Sequence, residues 1–350
     1  MKTIIKKTSV DNIDMDTINQ AGEIIRQGGL VAFPTETVYG LGADALNEEA
    51  AAKIYAAKGR PSDNPLIAHI ADLEMLKPLV EEIPPVAEKL MDAFWPGPMT
   101  LIFNKSNLVP KGTTGGLDTV AVRYPNHPIA QALIKAAGVS IAAPSANLSG
   151  KPSPTLGEHV VDDMDGRIDM IIDGGMVGMG LESTIIDVTV NPPMILRPGF
   201  ITYEMVKEIV PDATEDRTIF TKPTKEFKPK APGMKYRHYA PRGELTIVEG
   251  TPEQVREYIN REAAADHAAG EKTGIIGTEE MLSGYTADVV KSVGSRRDED
   301  TIARHLYTIL REFDDEGVTK IYSEGFSTDG FGQAIMNRLL KAAGHKVVKL

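Results

Sequence analysis

Cysteine is absent from the 350-residue chain. Its absence excludes disulfide bonds and thiolate–metal sites and is typical of a cytoplasmic protein. No apolar run reaches the about 20 residues that a membrane-spanning helix needs. The N-terminal sequence MKTIIKKTSVDNIDMD also lacks the long apolar core of a signal peptide. These absences favour a cytoplasmic globular protein without a membrane segment.

Three common site signatures are missing as well. The glycine-rich stretch GGMVGMGLEST lacks the lysine of a Walker A loop. None of the seven histidines has the spacing of metal ligands, so we expect no protein-bound zinc. Gly40, Gly42 and Ala45 match the spacing of a dinucleotide fingerprint, but PTETVY just before them interrupts the required strand–turn–helix context.

Positive charge is scarce except in one segment. The chain has 38 Lys and Arg against 49 Asp and Glu, a net charge of −11, which argues against a general nucleic-acid binder. Residues 221–242, TKPTKEFKPKAPGMKYRHYAPR, hold seven Lys or Arg against one Glu, so they carry +6 and leave −17 elsewhere. Their four prolines predict a semi-extended linker, and a solvated linker without a role in a site is one reading of it.

The linker predicts a division of the chain into two domains. We expect a catalytic domain over residues 1–210, a basic proline-rich linker over 211–242 and a smaller domain over 243–350. In the first part, strand-like segments alternate irregularly with helices, which predicts an α/β domain with a twisted mixed sheet. The strand-like segments are LVAF, PLIAHI, MTLIF, TVAVRY, VSIAA, DMIID, STIIDVTV and MILR.

Capping residues predict where two helices of the first part begin. NEEAAAKIYAAKG has Asn47 as a candidate N-cap and Gly59 as its terminator. Thr155 and Glu158 have the spacing of a capping box before LGEHVVDDM.

The C-terminal part alternates more regularly. ELTIVEG, TGIIG, ADVVKSV and VTKIYSE read as strands, and three amphipathic segments between or after them read as helices. This pattern predicts a small, mostly parallel, Rossmann-like sheet. VEGTPEQ after its first strand lacks the glycine fingerprint, so we expect no second cofactor site there.

Two polar residues lie in apolar strands. In TVAVRY, Arg123 shares a strand face with Thr119 and Ala121, where a buried arginine costs several kcal/mol unless it meets an anion. The anion can be a protein carboxylate in a structural salt bridge, or a substrate carboxylate or phosphate. His69 in PLIAHI also leaves two readings open: a core residue whose hydrogen bonds are satisfied within the protein, or a residue that binds a ligand.

The connection AAKGRPSDNPLIAHI concentrates polar groups. Lys58 complements a helix dipole and Asn64 suits a turn, but Arg60 follows the glycine cap and gains nothing in that way. The loop AAPSANLSGKPSPT offers Ser145, Asn147 and further hydroxyls, which could present N–H groups to phosphate or form an ordinary loop. Together the two segments indicate an anion site.

These motifs occur together in a known family. FPTETVYGLG, AAKGRPSDNPL, SANLSGKPSPT, STIIDV and LRPG resemble, in order and spacing, the YrdC-like domain of threonylcarbamoyl-AMP synthases. The linker sequence APGMKYRHYAP and the C-terminal part resemble the long form of that family, which has an additional C-terminal domain. The resemblance spans nearly the whole chain.

The resemblance implies a reaction and its participants. The family is a nucleotidyltransferase family that makes threonylcarbamoyl-AMP and pyrophosphate from L-threonine, bicarbonate and ATP, for the t6A modification of tRNA position 37. Mg2+ would arrive on the ATP phosphates without protein side-chain ligands, and the product would pass to the downstream t6A transferase machinery.

The resemblance also implies the site residues. Lys58 and Arg60 are the catalytic candidates. The candidates for ATP binding are Lys58, Arg60, Asn64, Thr119, Ser145, Asn147, Ser153, Arg197, Tyr236 and His238. The candidates for threonine binding are Thr37, His69, Arg123, Ala143 and Ser183.

Two other functions remain to be weighed. A YrdC-like RNA-binding module without synthase activity would bind through a concave basic surface, but the −17 charge outside the linker predicts weak binding. A carbamoyltransferase of hydrogenase maturation shares the YrdC-like domain, but that family has cysteine zinc modules, and this chain has no cysteine.

Overall fold

The computed structural model describes residues 2–219, 221, 229–232, 234 and 238–350. The described residues form two compact units. The first unit holds those within 2–149, 153–178 and 182–235, and the second holds those within 150–152, 179–181 and 236–350. The predicted linker 211–242 lies partly outside the described residues, and the domain limits 1–210 and 243–350 stay a prediction.

Eleven strands among the described residues of the first unit form one mixed sheet. Their order across the sheet is β1-β8-β2-β3-β7-β4-β6-β5-β9-β10-β11, with parallel and antiparallel neighbours. This confirms the predicted mixed α/β architecture. The strands are β1 (Ile4–Lys7), β2 (Val31–Phe33), β3 (Gly40–Asp44), β4 (Ile67–His69), β5 (Met99–Asn104), β6 (Thr119–Arg123), β7 (Ile141–Ala143), β8 (Met170–Asp173), β9 (Thr184–Asp187), β10 (Met194–Arg197) and β11 (Thr214–Glu215).

The helices of the first unit begin and end largely at the expected residues. Asn47 caps α2 by accepting from the amides of Glu49 and Ala50, and Gly59 ends it at φ 62°, which confirms that prediction. The helices are α1 (Met15–Arg26), α2 (Glu48–Lys58), α3 (Pro85–Phe94), α4 (Lys111–Thr114), α5 (Pro128–Ala137), α6 (Gly157–Met164) and α7 (Tyr203–Ile209).

The capping box predicted at Thr155 is wrong. Helix α6 begins at Gly157 with Leu156 as its N-cap and without a side-chain cap. The buried amide of Thr155 instead donates to Nδ1 of His159, 3.3 Å away. A different local acceptor, the imidazole of His159, therefore takes the Thr155 amide in place of the predicted Glu158 side chain.

The two faces of the central strands differ as the alternation predicts. Val120 and Val122 of β6 pack in the main hydrophobic core of the unit. Ala121 packs on the opposite face, in a smaller apolar cluster with Ile67 of β4. Arg123 follows Ala121 by two residues, so it lies on that second face, and the site is built there.

The second unit is a smaller parallel sheet with three helices among its described residues. The strand order is β14-β13-β15-β12-β16, and every pair is parallel, which confirms the Rossmann-like prediction. The elements are β12 (Glu244–Glu249), α8 (Pro252–Ala268), β13 (Thr273–Thr278), β14 (Val289–Gly294), α9 (Glu299–Asp315), β15 (Lys320–Glu324), α10 (Gly332–Ala342) and β16 (Val347–Lys349). Across the described part of the chain, every helix is too short or too polar to cross a bilayer.

Candidate active site

Three neighbouring strands place polar residues side by side. Arg123 of β6 pairs with His69 of the parallel strand β4 and with Thr100 of the antiparallel strand β5. Partners in register point to the same face of a sheet, so the three side chains form a row. Arg123 and His69 are both 4% exposed, and Thr100 is fully buried. A positive charge therefore lies in an almost water-free row.

The guanidinium of Arg123 is held from two directions. Nη1 donates to Oγ1 of Thr37 at 2.8 Å, and Thr37 in turn shares a 2.9 Å hydrogen bond with Thr35. Nη2 lies 2.7 Å from Oε1 of Glu36, which also accepts from the amide of Asn126 at 3.0 Å. The structural salt bridge that the sequence left open is thus present.

The Arg123–Glu36 pair keeps its charges despite burial. Burial raises the pKa of Glu36, but Arg123 and the Asn126 amide outweigh this effect, and the pKa lies below its ordinary value. Nε of Arg123 and Oε2 of Glu36 are buried, and neither has a hydrogen-bond partner among the described residues. Nη2 of Arg123 meets Glu36 as an ion pair and has no hydrogen-bond partner among these residues either. The pair therefore retains two donors and one acceptor for a ligand.

His69 is a neutral hydrogen-bonding group in this row. Burial, and secondly the charge of Arg123, lower its pKa to about 3. Its Nδ1 lies 3.0 Å from the carbonyl of Ile67, and its ring meets that of Phe33 edge-on at 6.2 Å between centroids. At neutral pH the side chain can recognise a hydroxyl or a neutral polar group without adding charge.

Ser183 connects the row to a second cation. Its Oγ lies 2.7 Å from Oγ1 of Thr100, and it accepts from Nη2 of Arg197 at 3.1 Å. Nε of Arg197 donates to the Ser183 carbonyl at 3.0 Å, and Nη1 donates to the carbonyl of Pro232 at 3.3 Å. Predicted threonine-binding and ATP-binding residues are therefore in direct contact.

Lys58 and the loop after β7 form a third polar group. Nζ of Lys58 donates to the carbonyls of Ser145 and Asn147, each at 2.5 Å. Oγ of Ser145 donates to Oδ1 of Asn147, also at 2.5 Å. Lys58 lies at the C-terminal end of α2 and is 2% exposed. The structure thus brings Lys58 together with Ser145 and Asn147.

Arg60 and Asn64 lie in the turn that follows Lys58. Nη2 of Arg60 donates to the carbonyl of Pro65 at 3.1 Å and to that of Asn64 at 3.3 Å. Asn64 is 1% exposed, and its Oδ1 is buried without a hydrogen-bond partner among the described residues. A buried amide oxygen without a donor is unfavourable unless a ligand supplies the donor.

The segment just after Thr37 joins these groups. The amide of Tyr39 donates to the Pro154 carbonyl at 2.9 Å, and the Tyr39 carbonyl accepts from the amide of Ala146 at 2.8 Å. Gly40 forms a bridge with Ser145. One short segment therefore connects the Arg123 row with the Ser145 loop.

The remaining predicted residues have varied positions. Thr119 and Ala143 lie on β6 and β7, and buried Ser153 donates to Oε1 of Glu182 at 2.5 Å. His238 lies in the second unit, next to the ring of Tyr239, and Tyr236 lies outside the described residues. Within the described ranges, His, Asp and Glu form no group of three that could hold a metal ion.

The sequence analysis missed three residues of this site. Glu36, Thr100 and Glu182 are buried and contact predicted residues. Glu36 carried a usable signal, because it is a carboxylate inside the otherwise uncharged run LVAFPTETVYGLG. Thr100, within an apolar strand, carried no comparable signal.

Known proteins resemble both parts of the chain. A model of Sua5, YciO and YrdC proteins, described as telomere recombination, matches residues 23–199. A second model, described as threonylcarbamoyl-AMP synthase, C-terminal domain, matches residues 201–344. The threonylcarbamoyl-AMP synthase of Bacillus subtilis is 49% identical over 333 residues, which cover 95% of this chain and 94% of the relative. The chain belongs to the threonylcarbamoyl-AMP synthase family.

Further relatives resemble either the whole chain or its first part. The threonylcarbamoyl-AMP synthase of Pyrococcus abyssi is 49% identical over 97% of this chain and 98% of the relative. The crystal structure of P. abyssi Sua5 complexed with L-threonine has a TM-score of 0.93 at 48% identity and covers all of both chains. Escherichia coli YciO covers 56% of this chain at 30% identity, with a TM-score of 0.51. Both units therefore have counterparts among the family's solved structures.

Proposed function

We propose that the protein is a nucleotidyltransferase that makes L-threonylcarbamoyl-AMP and pyrophosphate from L-threonine, bicarbonate and ATP. The single observation that carries the proposal is the connected arrangement of two cationic groups around one segment. Arg123 with Thr37 and His69 lies on one side of the Tyr39 segment, and Lys58 with Ser145 and Asn147 lies on the other.

Each side suits one substrate. In the proposal, Arg123 binds the threonine carboxylate through its buried Nε–H, which has no acceptor among the described residues although the guanidinium is paired with Glu36. Thr37, His69, Ala143 and Ser183 line the same side. Lys58, Arg60, Asn64, Ser145 and Asn147 bind ATP on the other side, and Arg197, Thr119 and Ser153 complete the proposed ATP-binding set, with Arg197 contacting Ser183 where the two sides meet.

The chemistry needs positioning and charge neutralisation more than a protein nucleophile. The threonine amine forms a bond to the bicarbonate carbon and water leaves, which yields the carbamate. A carbamate oxygen then attacks the ATP α-phosphorus, and the bond to pyrophosphate breaks. Lys58 and Arg60 would stabilise the charge that accumulates on the phosphate oxygens.

Other participants follow from the same proposal. Mg2+ would enter with the ATP phosphates, whose oxygens are the ligands it prefers. Tyr236 and His238 would reach the nucleotide from the linker. We expect the product to serve t6A formation at tRNA position 37 through a downstream transferase, in the cytoplasm. The domain limits 1–210 and 243–350 belong to this proposal.

Pyrophosphate release tests the proposal. Purified protein with ATP and Mg2+ should release pyrophosphate only when both L-threonine and bicarbonate are present. Omission of either one should reduce release to the level of the Arg123→Ala variant. Release that ignores both omissions would refute the synthase assignment.

RNA binding separates the proposal from the alternative of an RNA-binding module. Affinity for double-stranded RNA should be weak, with little loss between 50 and 200 mM salt. A fall of about 10³-fold or more over that range would indicate many phosphate contacts and support the alternative.

A further inference from the structure

The charges buried around Arg123 cancel. Arg123 carries one positive charge and Glu36 one negative charge, with 2.7 Å between Nη2 and Oε1. The two other titratable groups coupled to this pair are histidines, His69 and His127, and burial is the main cause that lowers the pKa of each. Both are neutral at neutral pH. Arg123, Glu36 and the two histidines together therefore carry no net charge, and the other buried cation nearby, Arg197, is separated from Arg123 by Ser183 and Thr100.

The pair nevertheless leaves buried donors of Arg123 and one buried acceptor of Glu36 without a hydrogen bond among the described residues. Among the described residues, Nε of Arg123 is a buried donor without an acceptor, and Oε2 of Glu36 is a buried acceptor without a donor. Buried groups of this kind are costly when they remain unsatisfied. A ligand that satisfies both atoms carries a negative group that accepts from Arg123 and a positive group that donates to Glu36.

We propose that Glu36 is a specificity-determining residue that matches the pocket to a zwitterionic amino acid. Arg123 complements the carboxylate of the ligand, and Glu36 complements its ammonium group. Without Glu36 the pocket would carry a net positive charge and would favour simple hydroxycarboxylates. The inference rests on the proposed use of threonine and extends it to the basis of substrate selection.

A purely structural role for Glu36 leads to a different result. If Glu36 only fixed the orientation of Arg123, its loss would weaken every carboxylate ligand to the same degree. The ratio of affinities for ligands with and without an ammonium group is therefore the decisive readout, because misplacement of Arg123 cancels from it.

The experiment compares L-threonine with (R)-3-hydroxybutanoate, which has a hydrogen in place of the ammonium group. Calorimetry measures the Kd of both ligands for the wild-type protein and for Glu36→Gln. We expect the wild type to prefer threonine and Glu36→Gln to lose at least tenfold of that preference, about 1.4 kcal/mol. An unchanged ratio would overturn the inference.

Two variants serve as controls. Glu36→Asp keeps the charge and should keep the preference for threonine. Glu23→Gln removes a carboxylate from an exposed pair with Arg26 and should change neither affinity. A loss of preference in Glu36→Asp equal to that in Glu36→Gln would contradict a charge-based role.

A measurement on the wild type alone provides a second test. L-threoninamide carries only the positive charge, and (R)-3-hydroxybutanoate carries only the negative one. A neutral pocket should bind both more weakly than threonine, whereas preference for (R)-3-hydroxybutanoate would overturn the inference even if Glu36→Gln does not fold. If the wild type binds none of them and releases no pyrophosphate with threonine, the proposed function fails and the inference fails with it. Pyrophosphate release with an unchanged ratio refutes the inference alone.

Discussion

Arg197 donates two hydrogen bonds to Ser183, from Nε to its carbonyl oxygen at 3.0 Å and from Nη2 to its hydroxyl oxygen at 3.1 Å. Fourteen residues separate the two in the chain, and both are almost fully buried. The Ser183 hydroxyl also meets Oγ1 of Thr100, next to Arg123 on the neighbouring strand. One hydroxyl therefore links a residue proposed to bind ATP with the row proposed to bind threonine.

Replacement of Ser183 should affect both substrates. Ser183→Ala removes the hydroxyl that Arg197 and Thr100 share, so we expect the KM for threonine and the KM for ATP to rise together, each by about 3- to 10-fold, the worth of one lost neutral hydrogen bond. Steady-state pyrophosphate release with each substrate varied in turn measures this. Thr184→Ser, which alters a hydroxyl bonded to the Ile201 carbonyl, is the neighbouring control. A change in only one KM would contradict the shared role.

Replacement of Arg123 should act on threonine alone. Arg123→Ala leaves Glu36 buried without its cation, and we expect the KM for threonine to rise by about 100-fold or more with little change in the KM for ATP. Arg123→Lys keeps the charge but lacks the planar guanidinium, so its KM for threonine should lie between those of the wild type and of Arg123→Ala. Thermal unfolding must accompany the kinetics, since a broken buried pair costs about 3–5 kcal/mol. Equal losses for both substrates would contradict the assignment.

Replacement of Lys58 should slow the chemical step. Lys58→Ala removes a cation proposed to stabilise the transition state, so kcat should fall by about 10²- to 10³-fold while threonine binding is preserved. Lys53, one turn earlier on α2, donates to the Gly28 carbonyl and provides the matched control Lys53→Ala. An unchanged kcat in Lys58→Ala would show that its role is only to hold the Ser145 loop.

His69 should make the protein less stable in mild acid. Its pKa is about 3 in the folded protein and about 6.5 in the unfolded chain, so between these values the unfolded chain binds the proton more tightly. The free energy of unfolding is therefore highest above pH 6.5 and falls as the pH drops towards 3. We expect a loss of about 2 kcal/mol between pH 7 and pH 5 from this residue.

Urea unfolding of the wild type and of His69→Asn measures that effect. Between pH 7 and pH 5, the free energy of unfolding should fall by about 2 kcal/mol less in the variant than in the wild type. Between pH 7 and pH 8, it should have the same pH dependence in both proteins. Parallel pH dependences down to pH 5 would show that the imidazole accepts a proton within the folded protein.

Local patterns in the sequence were sufficient to predict the strand face on which Arg123 lies, but not the anion that it contacts. Alternation along β6 and β4 correctly predicted which residues share a face, because the period of a strand is fixed by its geometry. It could not predict which anion Arg123 meets, since Glu36 is 87 residues away and approaches only through the strand order of the sheet.

The helix caps and the roles of the site residues differ in how far the sequence could predict them. Helix α2 was predicted from its caps because both signals lie within the helix itself. The capping pattern at Thr155 failed because His159, four residues further along, accepts from that amide, and the pattern does not show which local acceptor is used. The roles of the site residues came from a family resemblance and stay predictions, since the contacts described are those within the protein alone.

The strand order of the large sheet has a consequence for folding. The threonine side of the site draws on β4 and β6, which are parallel neighbours in the sheet although residues 70–118 separate them in the chain. Such distant pairings form slowly, because long loops must close before any contact stabilises them. We therefore expect threonine binding to recover late during refolding, after most helical signal has returned, so that the regain of binding reports completion of the central strands.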